Sequence, residues 1–200
     1  MEKETKLGVG AAYIYLMLPF IIFTLGWLRL YLAIPIVIIL ILCLWKMLQR
    51  APKLWRPEMN RDNIEKMLII LGIICLWVYL SGIGQLVFQN TDHTARNGIF
   101  NMLVEYDWPV YGTAKDGSSV GLIYYIGYWL PSAVIGKLFG LRVGYWSQDI
   151  WAVAGILLVY YFICAHAKKL EIWPLIVMIL FSGLDYAGYY LLGTDMSSIS

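Results

Sequence analysis

Two hundred residues that are 60% hydrophobic, 16% aromatic and only 14% charged, with a mean hydropathy of +0.69, exclude an ordinary soluble domain. A net charge of +2 is too small to suggest a nucleic-acid partner. Several apolar stretches approach or exceed the roughly 18 residues that cross a bilayer, so the expected class is an all-α, polytopic transmembrane helical bundle.

The first residues, Met1 to Gly8, are mixed in charge. The apolar run from about Val9 to Leu28 sits where a signal peptide would, yet it is long, lacks a small-residue cleavage site and leads into more apolar sequence. It reads as an uncleaved span. Gly26, Trp27 and Arg29 mark a tight hairpin, and a second span is expected from about Leu30 to Trp45.

Residues 46–66 form a basic loop, with Lys46, Arg50, Lys53, Arg56, Arg61 and Lys66 against Glu58, Asp62 and Glu65. The positive-inside rule makes this loop cytoplasmic, and the N-terminus with it. Asn60 or Asp62 is a candidate cap for the third span, expected over about Met67 to Phe88.

Gln89–Gly112 then falls outside the cytoplasm and is the longest polar interruption between two apolar halves. A helix capped by Asn90 or Thr91 is expected to run to about Tyr106. His93, Asn97, Asn101 and Glu105 form a polar line on it, and Ile99, Phe100, Leu103 and Val104 an apolar stripe, the pattern of a helix lying in the membrane interface. Thr113 to Ser119 reads as a turn-rich loop.

Gly121–Gly140 is apolar enough to cross, but Tyr124, Tyr125, Tyr128, Trp129 and Pro131 favour the interface. Counting Lys and Arg gives ten inside and five outside whether or not it crosses, so composition decides for the non-crossing reading. Spans from about Ile150 to Ala165 and from Ile172 to about Leu192 complete the chain. The expected organisation is a three-span region at 1–88, an extracytoplasmic loop with interfacial helices at 89–146, and a two-span region at 147–200.

Candidate chemistry gathers in the polar stretch. Asp92, four residues past a span, has the place of a general base. Arg96, one turn on, pairs with it or holds a phosphate, and His93 shuttles a proton or binds the same phosphate. A plain helix start, with an acid in the first turn and an i,i+4 ion pair, explains the same spacing. Asp107 beside Trp108 suits sugar binding, and equally an interfacial anchor before a proline stop. Asp185, inside the last apolar run, is a functional candidate because charge at membrane depth is costly. Cys43, Cys75 and Cys164 read as buried hydrophobes, no residue pattern indicates a metal or other cofactor, and there is no P-loop.

The runs TDHTARNGIFNMLVEYDWPVYG, LIYYIGYWLPSAVIGKLFG and FSGLDYAG resemble a group of bacterial polytopic envelope proteins. These are similar in layout to the GT-C superfamily of membrane glycosyltransferases. The resemblance spans about Asn90 to Tyr190. It implies a bacterial cytoplasmic membrane protein that takes a polyprenyl-phosphate-linked sugar donor on the extracytoplasmic face. Asp92 then stands as the catalytic residue, with His93, Arg96, Asn97, Asp107, Trp108 and Asp185 as substrate contacts. The bilayer and the lipid-linked donor are the expected partners, with membrane proteins as further ones. A non-enzymatic component of polysaccharide assembly or export, and a small transporter using Asp185, are the rival expectations.

Overall fold

The computed structural model describes residues 4–87, 89–113 and 117–182. Helices dominate: α1 (Leu7–Trp27), α2 (Leu30–Arg50), α3 (Arg61–Leu80), α4 (Thr91–Glu105), α5 (Leu130–Phe139), α6 (Leu141–Ala167) and α7 (Trp173–Ser182). Four of them, α1, α2, α3 and α6, are long and apolar enough to cross a membrane. Two short antiparallel ladders accompany them. One pairs β1 (Glu4–Thr5) with β2 (Leu54–Trp55), the other β3 (Tyr111–Thr113) with β4 (Ser119–Gly121).

Helix boundaries differ from expectation at two points that matter. The third helix starts at Arg61, six residues before Met67, because the Asn60 side chain accepts a hydrogen bond from the Asn63 N–H (2.8 Å) and so caps it. It ends at Leu80, with residues 81–87 in turns and bends. The long helix α6 begins at Leu141, not Ile150, which draws Ser147, Gln148 and Asp149 into the helix. Of the last expected span only Trp173–Ser182 lies within the described residues; Asp185 lies outside them.

The architecture follows from what α6 touches. Along its length α6 runs antiparallel to α1, with Tyr161 against Gly8 and Trp151 stacked on Tyr15 at 4.0 Å. It runs antiparallel to α3 as well, through a cluster that includes Ile70, Ile74, Val78, Ala152, Tyr160 and Cys164. The helix α2 packs on α1 and presents most of its Ile and Leu side chains outward, as a lipid-facing helix does.

A second cluster lies at the N-terminal end of α6. Phe100 and Leu103 of α4, Leu130 and Ala133 of α5, and Tyr145 of α6 are buried together there, with Val110, Ile126 and Trp129. The expected stripe on α4 is thus its buried face, turned onto α5 and α6. The contact between α5 and α6 depends on glycine: a Cβ at Gly144 would lie 3.0 Å from the Gly136 Cα and 3.1 Å from the Phe100 ring. With ten residues, α5 is about 15 Å long, half of a hydrocarbon core of roughly 30 Å.

Candidate functional site

Where α3 ends, α4 begins and α6 begins, the chain encloses a cavity of about 470 Å³. Ser81 and Ile83 line it from the segment after α3, and His93, Arg96 and Asn97 from α4. Tyr125, Tyr128 and Trp129 line it from the turn before α5, and Gln148 from α6. It lies at the opposite end of the long helices from the β1–β2 ladder. Three residues singled out by sequence, His93, Arg96 and Asn97, therefore meet in one place.

They meet because the start of α4 is tied down. The Asn90 side chain accepts from the His93 N–H at 2.9 Å, and the Asn90 N–H reaches His93 Nδ1 at 3.4 Å, a reciprocal cap. The other ring nitrogen, Nε2, lies 3.0 Å from the Ser81 carbonyl oxygen. Nδ1 also lies 2.6 Å from Asn90 Oδ1, so the ring is held at both nitrogens, by Asn90 on one side and Ser81 on the other. His93 therefore pins α4 to the end of α3 while one side of its ring faces the cavity.

Asn97 Nδ2 donates to Gln89 Oε1 at 2.9 Å, and Gln89 Nε2 donates to the Gly82 and Val87 carbonyls. On the buried side the Tyr145 hydroxyl donates to Asn101 Oδ1 at 2.6 Å. Arg96 differs from its neighbours. The expected Asp92–Arg96 ion pair is not formed, and among the described residues the one salt bridge is Arg61–Glu65. The guanidinium lines the cavity with its charge uncommitted.

Two of the aromatic residues of the wall, Tyr125 and Trp129, are stacked on Tyr124, which does not itself line the cavity. Tyr124 lies on Tyr125 at 4.0 Å and on Trp129 at 5.8 Å, and the Tyr124 hydroxyl donates to Tyr125 Oη at 2.7 Å. That hydrogen bond pushes the Tyr124 phenol up; the Arg96 charge pulls it down and the Asp92 charge pushes it up. Burial pushes the Tyr128 phenol well above the usual phenol range, so it stays a neutral donor.

Gln148 is the residue that sequence reading missed. It is 3% exposed, it lines the cavity, and its Nε2 is buried with no hydrogen-bond partner. Its neighbour Asp149 also holds a buried, unpaired oxygen, Oδ1, and packs so closely on Gly84 that a Cβ there would strike its carboxylate. The adjacent Gln-Asp pair within an apolar run was the available signal. Starting the span at Ile150 hid it.

Other candidates stand apart. Asp92 is exposed in the first turn of α4, beside the cavity but not lining it. Asp107 is exposed. Trp108 is packed inward, its ring against Trp27 at 5.1 Å and Lys137 Nζ 5.3 Å over it, with Nε1 donating to the Leu103 carbonyl at 2.8 Å. Among the described residues no three His, Cys, Asp or Glu side chains come together as metal ligands do.

A cation, a carboxamide donor, a neutral phenol and stacked rings around one opening are complementary to an anionic, hydroxyl-rich group with a flat face. Comparison with protein-family models, with curated proteins and with solved structures finds no match for this chain.

Proposed function

We propose that the chain is a multi-pass membrane protein that holds the sugar-phosphate headgroup of a lipid-linked donor in the Arg96–Gln148 cavity and serves glycosyl transfer there. The observation that carries this reading is the pairing of an uncommitted guanidinium with a buried, unpaired carboxamide donor in one cavity at the end of four apolar helices. A phosphate takes the first, and a sugar hydroxyl takes the second once a rotation of the Gln148 side chain turns Nε2 into the cavity. The aromatic stack offers a face to a sugar ring.

The membrane placement is supported by three facts. Four helices have the length and hydropathy to span. The β1–β2 ladder and the Lys6 Nζ to Gln49 carbonyl bond (2.7 Å) bring the N-terminal residues and the basic loop to one end. That end is cytoplasmic by the positive-inside rule, and the cavity then opens on the other face. A helix as short as α5 fits the non-crossing reading of Gly121–Gly140.

Asp92 is the base that activates the acceptor hydroxyl, at the rim of the site. The test is transfer of a labelled sugar from a polyprenyl-phosphate-linked donor by the protein in proteoliposomes. Wild type transfers, while Asp92→Asn binds donor and does not transfer. Donor that neither binds nor reacts refutes the reading. The position of Asp92 outside the cavity lining favours a second reading, a donor-binding component of an envelope assembly without its own catalysis. It predicts donor binding without transfer in wild type, and a protein partner that co-purifies.

A further inference from the structure

A larger cavity, about 720 Å³, lies at the other end of the helices, between α1, α3, α6 and the loop that carries β2. Its walls are almost wholly apolar, and the described residues leave it open. It runs along α6 from Trp151 to Cys164, thirteen residues or roughly 20 Å at about 1.5 Å each. A groove of that length is long enough for an acyl chain, which needs about 15 Å to cross one leaflet.

Polar groups occur at defined heights along this groove. At the rim stands Arg56, exposed and in no ion pair among the described residues, within the basic loop. One step in, Tyr161 presses on Gly8 and its hydroxyl is buried without a partner. Beyond it lie Leu158, Ala154 and the Tyr15–Trp151 stack, which closes the far end. A cation at the rim and hydrocarbon within is the order in which a glycerophospholipid presents its phosphate and its acyl chain.

We propose that this groove is a specific site for an anionic glycerophospholipid of the basic-loop leaflet. The phosphate sits on Arg56 and one acyl chain lies along α6 to Trp151. The site rests on the membrane placement above but not on the sugar-donor reading, since it uses none of the Arg96 cavity. An anionic headgroup is selected because Arg56 stands at the rim, with Lys53 beside it in sequence and Lys46 and Arg50 in the last turns of α2, each favouring an anionic surface.

The test uses the full chain, reconstituted in equimolar phosphatidylglycerol and phosphatidylcholine, released gently and weighed by native mass spectrometry. Wild type retains one phosphatidylglycerol in preference to phosphatidylcholine. Arg56→Gln lowers that preference roughly fivefold, the weight of one basic side chain at an anionic surface. Ala154→Trp, which fills the groove, retains none. Equal retention of the two lipids by wild type overturns the proposal, as does an unchanged preference in Arg56→Gln. Absence of any retained lipid, with a cross-linker at position 154 captured by the chain's own residues, assigns the groove to the protein itself and also overturns it. If Ala154→Trp fails to fold, the Arg56→Gln ratio decides alone, because Arg56 is exposed and makes no ion pair among the described residues. Phosphatidylglycerol carries no sugar, so a protein that fails to bind the sugar donor can still pass this test.

Discussion

Replacing Gln148 by Met separates what the side chain does for the fold from what it does for a ligand. Met has nearly the same length and shape, so packing against α5 and the 125–129 turn is kept. What changes is one buried polar donor. Nε2 is closed off from solvent and has no partner, and an unsatisfied buried amide costs about 1–3 kcal/mol. Gln148→Met removes that cost, so the empty protein becomes more stable. For a chain of 200 residues, where about 1 kcal/mol moves the midpoint by roughly 2–4 °C, the rise in Tm is roughly 2–12 °C. Donor affinity moves the other way: losing one hydrogen bond to the bound headgroup weakens it about tenfold, or ~1.4 kcal/mol. The assay is a thermal melt of the protein in nanodiscs, with and without polyprenyl-phosphate-linked sugar. Wild type gains more from the ligand than the variant does. A variant that melts lower than wild type, or is stabilised equally by the ligand, refutes the assignment of Gln148 as a binding residue.

Arg96→Gln weakens donor binding about tenfold or more and flattens its dependence on salt, measured by titration at two ionic strengths; Arg96→Lys restores part of both, because the point charge returns without the planar fork. Asp92→Asn abolishes sugar transfer but leaves expression and melting nearly intact, since the exposed carboxylate contributes only about 0.3–1 kcal/mol at the helix start. Gly144→Val drives its side chain into Gly136 and Phe100, separates α5 from α6 and lowers stability by about 1–3 kcal/mol, read as a fall in Tm. The raised Tyr128 phenol predicts a one-sided pH response. A folded value above the unfolded one leaves its contribution intact below about pH 10 and removes it as pH climbs further, so a melt series across that point declines only on the alkaline side, and Tyr128→Phe abolishes that part of the decline.

The helical class was legible because a bilayer-length apolar run has few other uses; α1, α4 and the tight 28–29 turn fell near their expected bounds, while α2 runs past Trp45 to Arg50 and takes Lys46 and Arg50 out of the expected loop. Caps decided the rest. Asn60 and Asn90 both appear in sequence as candidates, but only the hydrogen bonds to Asn63 and His93 show that the chain turns helical at those points. The site was half legible. His93, Arg96 and Asn97 share one face of one helix, so periodicity finds them. Gln148 and the 125–129 aromatics reach the same cavity from other elements, and two residues some fifty positions apart that line one cavity leave no periodic trace. Trp108 misled for a related reason: an indole beside an acid looks available for stacking, and only the packing on Trp27 and Gly26 shows that its face is taken.

The β1–β2 ladder closes the first two helices into a ring. Residues 4–5 and 54–55 are joined, so α1, the turn and α2 form a loop with both ends held together at one point. Force applied at the N-terminal strand therefore passes to the basic loop and on to α3 rather than along α1. During synthesis the ring cannot shut until residue 55 has emerged, by which time both helices are complete.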